Sequence, residues 1–282
     1  MKRQAVFQEE KEMNRLAVQN RLLLNYEAPI FTQLFTKRSG LSVLDIGCND
    51  GTKTIECFSN DAVSQVIGLE YNHKLAKQAQ ARYGGEKFSF YSCDVESVDF
   101  SEQMKNIMWE KGIKGFDIIY LSFLLMHLKQ PAQLLAGLQE FLLPDGQLIV
   151  IEANDSASVL EPDYNNLLQD FLEILKKDKY SGNRELGAVL PDMLRDCGYT
   201  DVKHWYNEIA AGEEDVEKKM KIFTIFFSYL PEDVEILQAL YPEDAEYKNW
   251  AEWIQCNFGK LKKAILQENS SISMGMRILS CK

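Results

Sequence analysis

The sequence predicts an α/β protein in which a largely parallel sheet carries helices on both faces. Five short β-rich runs (LSVLDI, VSQVIGLE, KFSFYSCD, FDIIYLSF and QLIVIEA) alternate with amphipathic stretches from residue 41 to 153, the order that builds parallel sheets from βαβ units. Stretches such as VIGL and IIYL are continuous in apolar residues, as strands covered on both faces must be. With 282 residues, 46% hydrophobic and 26% charged, the chain has ordinary globular usage and enough length for one elaborated α/β domain. These observations place it in the Rossmann-like class.

The elements follow in order. Leu16, Leu22, Leu23, Tyr26, Ile30 and Leu34 recur at helical spacing across residues 9–36, and Pro29 interrupts them; two short helices are expected, forming an N-terminal cap over residues 1–38. The Rossmann-like core is expected over 39–210, with helices near 52–59, 72–83, 101–111 and 131–141 between its first five strands. A helix near 163–178 follows, then one from Leu186 to Cys197 that Gly198 should end, since glycine tolerates the left-handed position past a helix. TDVKHWYNEIA reads as a sixth strand. Residues 211–270 read as a helical insertion rich in aromatics, Trp250 and Trp253 among them. In 271–282, Ile272, Met274, Met276 and Ile278 alternate onto one face, a final strand returning to the core and completing a seven-stranded sheet.

Charge and cysteine usage exclude several functions. The 31 Lys+Arg against 42 Asp+Glu leave a net charge of -11, a field that repels a polyanion, so no nucleic-acid partner is expected. The basic residues of the cap (Lys2, Arg3, Lys11, Arg15, Arg21, Lys37, Arg38) alternate with Glu9, Glu10, Glu12 and Glu27 and read as a solvated helix face. The six cysteines form no C-x-x-C pair and have no zinc-ligand spacing with His73, His127 or His204; they read as reduced thiols. No apolar run approaches the roughly 20 residues of a membrane span, and the charged start is unlike a secretory peptide. A cytoplasmic location without membrane attachment is expected, with the oligomeric state open, a homodimer included.

The chemistry concentrates at three strand ends. VLDIGCNDGT lies where the first strand turns into the first helix, and its Gly47 and Gly51 permit positive φ or close approach of a ligand. Glu70 ends the second strand 19 residues beyond Gly51, where a carboxylate can accept from both ribose hydroxyls of a nucleoside. Asp94 ends the third strand in SCDVES and can accept from an adenine amino group. A dinucleotide site would need G-x-G-x-x-G so that a helix N-terminus meets pyrophosphate. Here the run is Gly47, Cys48, Asn49, Asp50, Gly51, Thr52; it lacks the later glycines and brings in the Asp50 carboxylate, which repels phosphate but tolerates a sulfonium or ammonium.

Residues 41–153 resemble the core of the class I S-adenosylmethionine-dependent methyltransferases. VLDIGCNDGT resembles that family's glycine-rich first motif, GLEYN its acidic second-strand end, SCDVES its adenine-facing end, and FDIIYLSFLLMHL with LLPDGQLIVIE its fourth and fifth strands. RELGAVLPDMLRDCGYTDV resembles the helix and strand that follow, and SMGMRILSCK the antiparallel seventh strand. The resemblance implies S-adenosylmethionine as cofactor, its amino-acid end held by the loop around Asp45 and Gly47, its ribose by Glu70, and its adenine framed by Asp94 and Val95. Cys48, Asn49, Gly51, Tyr71, Ser122 and Phe123 complete the expected cofactor-binding set. Asn49 stands where the family most often has glycine; asparagine also tolerates φ > 0, so cofactor binding is expected to survive.

The resemblance implies methyl transfer to a small-molecule acceptor by in-line displacement, in which the protein chiefly aligns the reactants. A cofactor-binding regulatory protein without turnover, or a nicotinamide-dependent oxidoreductase, are the alternatives. YLSF at 120–123 lacks the N-P-P-Y-like turn of enzymes acting on nucleobase amines, and the fourth-strand end offers no carboxylate set for a metal. His127 is the candidate general base, because imidazole titrates near neutrality and the family often places a histidine there. Tyr26, Glu152, Asn154 and Asp155 are the candidate acceptor contacts. The helices of 9–36 and 211–270 are read either as a lid that moves over the pocket mouth or as fixed scaffold packed by Trp250 and Trp253.

Overall fold

The computed structural model describes residues 10–178 and 181–282; Lys2, Arg3 and Glu9 of the basic and acidic N-terminal run lie outside the described residues. The elements run α1 (Glu10–Phe35), β1 (Leu41–Ile46), α2 (Thr52–Phe58), β2 (Val63–Glu70), α3 (His73–Tyr83), β3 (Phe88–Ser92), α4 (Phe100–Lys111) and β4 (Phe116–Ser122). They continue with a 3₁₀ turn (Leu125–His127), α5 (Pro131–Leu138), β5 (Leu142–Ala153), β6 (Val159–Glu161), α6 (Leu167–Lys177) and α7 (Leu186–Asp196). β7 (Lys203–Ala211), α8 (Val216–Phe226), α9 (Leu230–Leu240), α10 (Ala245–Leu266) and β8 (Ser271–Cys281) complete the chain.

The strands form one eight-stranded sheet in the order β3-β2-β1-β4-β5-β8-β6, with β7 also paired to β8. β1 pairs in parallel with β2 and β4, β2 with β3, and β4 with β5, whereas β6 and β8 are antiparallel. The α/β class and the Rossmann-like sheet with helices are as the alternation predicts. Among the described residues the strands number eight rather than seven: β6 is three residues long and pairs Val159, Leu160 and Glu161 with Ser273, Ile272 and Ser271. Its backbone partners come from the long β8, so it needs no alternating pattern of its own. Gly198 ends α7 as expected, with φ 92°.

The N-terminal segment departs from expectation. It is one helix of 26 residues with Pro29 inside it, not two. Proline in a helix interior costs about 3 kcal/mol through a lost hydrogen bond and a clash with the preceding turn. Ile30 and Phe31, the next two residues, are buried, and Phe31 sets its ring edge-on to Phe58 at 5.1 Å and against Tyr120 at 5.7 Å. Burying an apolar side chain contributes about 1.5–3 kcal/mol each, so packing outweighs the proline and the helix runs through.

The chain forms two compact units. One holds residues 24–153, 186–206 and 277–282. Its main core packs one face of the parallel strands, where Leu44, Ile67, Ile119 and Leu148 lie side by side and meet Met104 and Leu135 of the covering helices. The other holds the chain up to residue 23, with 154–185 and 207–276. There the aromatics of the insertion form a core: Phe171 meets Phe227 at 4.7 Å, Phe223 meets Phe258 at 5.4 Å, and Tyr247 meets Trp250 at 5.1 Å. Trp253 lies 6.3 Å from Phe171 and its indole N–H reaches the Asp170 carboxylate. The solvated-face reading fails for Glu12 and Arg15: Glu12 is buried, and the Arg15 guanidinium forks onto its carboxylate (2.8 and 2.7 Å) and donates to the Ile225 carbonyl.

Candidate functional site

The register of the parallel strands brings the singled-out strand ends together. Ile46 is paired with Leu69 on β2 and with Leu121 on β4, so Gly47, Glu70 and Ser122 follow at one level along the carboxyl edge. Chains leaving a parallel sheet at that edge open a crevice where its order reverses, here between β1 and β4.

The loop after β1 is held open by three left-handed residues: Gly47 (φ 81°), Asn49 (φ 51°) and Gly51 (φ 79°). Asparagine at 49 thus adopts the positive φ that its side chain makes tolerable. Gly47 is exposed, and a Cβ there would meet Leu124 Cδ1 at 3.3 Å. The backbone amides of Gly47 and Cys48 both donate to the Leu69 carbonyl, at 2.8 and 3.0 Å, tying the loop to β2. Cys48 turns its side chain inward against Ala79 and Phe90, so only its backbone faces the crevice. Asp50 accepts from the amide and hydroxyl of Thr52 at 3.0 and 2.9 Å and lies 4.0 Å from Arg82. Its carboxylate is spent on starting α2 rather than directed at a ligand phosphate.

Glu70 fastens this loop to the next. Its carboxylate accepts from the Asn49 amide at 3.0 Å and from the Asn72 amide at 2.8 Å. Burial pushes its pKa up, against the opposing effect of those amides. Asp45, buried under the loop, accepts from Thr54 Oγ1 at 2.6 Å; burial raises it to about 6 against the pull of Thr54 and Lys53. Asp94 is exposed and caps the Glu96 amide at 2.9 Å through Oδ1, which leaves Oδ2 without a partner among the described residues. Val95 is half-buried against the core, Tyr71 is 61% exposed, and Phe123 takes a φ of 52° directly after Ser122.

The candidate acceptor and base residues fall in different settings. His127 is exposed at the end of the 3₁₀ turn, and His73 and His204 are exposed elsewhere. Tyr26 is half-buried, edge-on to Tyr206 at 5.0 Å. Glu152 is fully buried: Oε1 accepts the Leu125 amide at 2.7 Å, Oε2 has no partner among the described residues, and burial lifts its pKa to about 8 against the neighbouring amides. Asn154 and Asp155 belong to the other unit, both buried; the backbone N–H of Asn154 donates to the Gly275 carbonyl at 3.0 Å, and Asp155 is clasped by Arg184, one contact being 2.8 Å. The Arg184 guanidinium also donates to the Tyr229 hydroxyl at 3.1 Å, so Asp155 is committed inside the protein.

Sequence reasoning missed a second set of polar groups beside the loop. Glu27 of α1 has no exposed surface and accepts from the Tyr120 hydroxyl at 2.5 Å and from Lys53 Nζ at 2.8 Å. Lys53 also donates to Ser122 Oγ at 2.9 Å and lies 5.3 Å from the centre of the Tyr120 ring. Glu27 occupies the i, i+4 row of Leu23, Glu27 and Phe31, both neighbours buried. A carboxylate inside an apolar stripe was the available signal.

Comparison with known proteins places this geometry in a family. Residues 37–226 match the family model described as a methyltransferase domain. The chain is 28% identical over 171 residues to an uncharacterized 37.1 kDa protein in a transposon of Streptomyces fradiae, covering 57% of this chain and 44% of that one; it thus spans less than half the length of that curated relative. Among solved structures it resembles a candidate methyltransferase from Bacillus halodurans (15% identity, 90% of this chain and 97% of that one, TM-score 0.52). It also resembles the YcgJ protein of Bacillus subtilis (14% identity, 89% and 96%, TM-score 0.50). These two likenesses speak for the fold alone, whereas the family model takes in about two thirds of the sequence: the chain belongs to the methyltransferase-domain family.

Proposed function

We propose that this protein is an S-adenosylmethionine-dependent methyltransferase acting on a small-molecule acceptor. The observation that carries the reading is the loop of residues 47–51, kept open by Gly47, Asn49 and Gly51 at positive φ and joined by the Glu70 carboxylate to the turn after β2. The donor set fits the cofactor. Glu70 would accept from the ribose and the free oxygen of Asp94 from the adenine, and the lack of a Cβ at Gly47 leaves room for a close backbone approach. The carboxylates Asp45 and Glu70 around the loop favour a ligand of net positive charge over a pyrophosphate.

The bound cofactor would supply a methyl group activated on a sulfonium. The protein's own part is alignment: the loop and Glu70, with the rim residues Ser122 and Phe123, would hold the cofactor so that its methyl group faces the acceptor. His127, exposed at the end of its turn, is the group placed to take a proton where the acceptor is protonated. A net charge of -11 supports a small acceptor over a nucleic acid. Incubating the protein with methyl-labelled S-adenosylmethionine and a fractionated metabolite pool tests the reading: label should move into a small molecule. Cofactor that binds and is never consumed would instead mark a regulatory binder.

A further inference from the structure

Lys53 is the second residue of α2, directly after the open loop, and its side chain is 13% exposed. An ammonium has three donor protons. Two are accounted for, by Glu27 Oε1 at 2.8 Å and Ser122 Oγ at 2.9 Å. Ser122 follows Leu121, the strand partner of Ile46, so the ammonium sits at the level of Gly47 on the neighbouring strand end. Glu27 is itself fixed by the Tyr120 hydroxyl at 2.5 Å, with Cys57 Sγ 3.9 Å from its second oxygen. The pair therefore aims a cation at the crevice instead of merely cancelling a buried charge; an apolar pair would serve stability as well.

The local charges say what that cation can receive. Glu27, Asp45 and Glu70 gather around Lys53 and the loop, so carboxylates outnumber the ammonium. A ligand carrying a carboxylate is repelled there except against Lys53, whose remaining N–H can donate a charge-assisted hydrogen bond.

We propose that Lys53, aimed by Glu27 of the N-terminal helix, binds the carboxylate of an amino-acid moiety in the ligand. The inference rests on the reading of the loop as an S-adenosylmethionine site and adds a side-chain partner to its backbone. It makes the 24–35 stretch of α1 part of the binding unit.

The experiment is calorimetric titration of the full chain with S-adenosylhomocysteine and with methylthioadenosine, which keeps the adenosyl thioether but lacks the amino-acid end. Lys53→Met should weaken S-adenosylhomocysteine about ten- to hundredfold, the scale of one hydrogen bond between charged groups, and leave methylthioadenosine within about twofold. Lys53→Arg should retain most of the S-adenosylhomocysteine affinity. If Lys53→Met does not fold, Glu27→Gln takes its place and should show the same selective loss, because Lys53 is no longer aimed. Equal weakening of both ligands would make Lys53 purely structural and overturn the proposal. Unchanged binding of both would also overturn it, assigning Lys53 at most to a carboxylate of the acceptor. If the unsubstituted protein binds neither ligand, the cofactor reading itself falls; if it binds both and only the selectivity is missing, the inference falls alone.

Discussion

Replacing Glu152 by glutamine should make the protein more stable at alkaline pH and remove part of its pH dependence. The carboxylate is fully buried, one oxygen accepts the Leu125 amide at 2.7 Å, and the other has no partner among the described residues. Burial raises its pKa from 4.5 to about 8. The folded protein therefore holds a proton that the unfolded chain releases between those values, and stability falls as pH rises. The contribution is fully present below about pH 4.5 and is lost as pH passes about 8. Integrated from pH 5 to pH 9, that shift amounts to about 4 kcal/mol. Glutamine keeps an oxygen for the Leu125 amide and does not titrate. Urea denaturation of both proteins at several pH values gives the difference curve, in which Asp45, raised to about 6, cancels. The stability gap in favour of Glu152→Gln should widen steadily towards pH 9. A gap constant between pH 5 and pH 9 would refute the reasoning.

Three further outcomes follow from the geometry. Gly47→Ala places a Cβ at φ 81° and 3.3 Å from Leu124 Cδ1; it should cost about 1–2 kcal/mol by thermal denaturation and weaken S-adenosylmethionine measurably by calorimetry. Asp94→Ala, at an exposed position, should leave the melting temperature unchanged and lower cofactor affinity about tenfold, and undiminished affinity would remove Asp94 from the site. Arg184→Met leaves Asp155 buried without its cation and should cost about 3–5 kcal/mol; a wild-type denaturation midpoint would show that the pair is dispensable.

What the sequence made legible divides along a physical line. β1 to β5 and their helices were readable because burial on both faces forces continuous apolar runs, and turn residues such as Gly198 mark the ends. The positive φ of Asn49 was readable because few residue types tolerate it. The continuity of α1 was not, since Pro29 is a local signal and the opposing Phe31, Phe58 and Tyr120 contacts are remote in sequence. β6 escaped because its three residues borrow their pairing from β8. Glu27 and Lys53 escaped because their partner is remote: the apolar stripe of Leu23 and Phe31 marks Glu27 as buried, but Tyr120, which it meets, lies 93 residues away. Asp155 was legible as a carboxylate after the fifth strand, but its commitment to Arg184, 29 residues on, was not.

The central claim is that the open loop and Glu70 form a site for S-adenosylmethionine. Its most direct test is a calorimetric titration of the purified protein with S-adenosylmethionine and with NADH, repeated on Glu70→Ala. Saturable single-site binding of S-adenosylmethionine is expected, with an affinity at least about tenfold lower in Glu70→Ala and no saturable signal from NADH. Saturable NADH binding with no response to S-adenosylmethionine would contradict it.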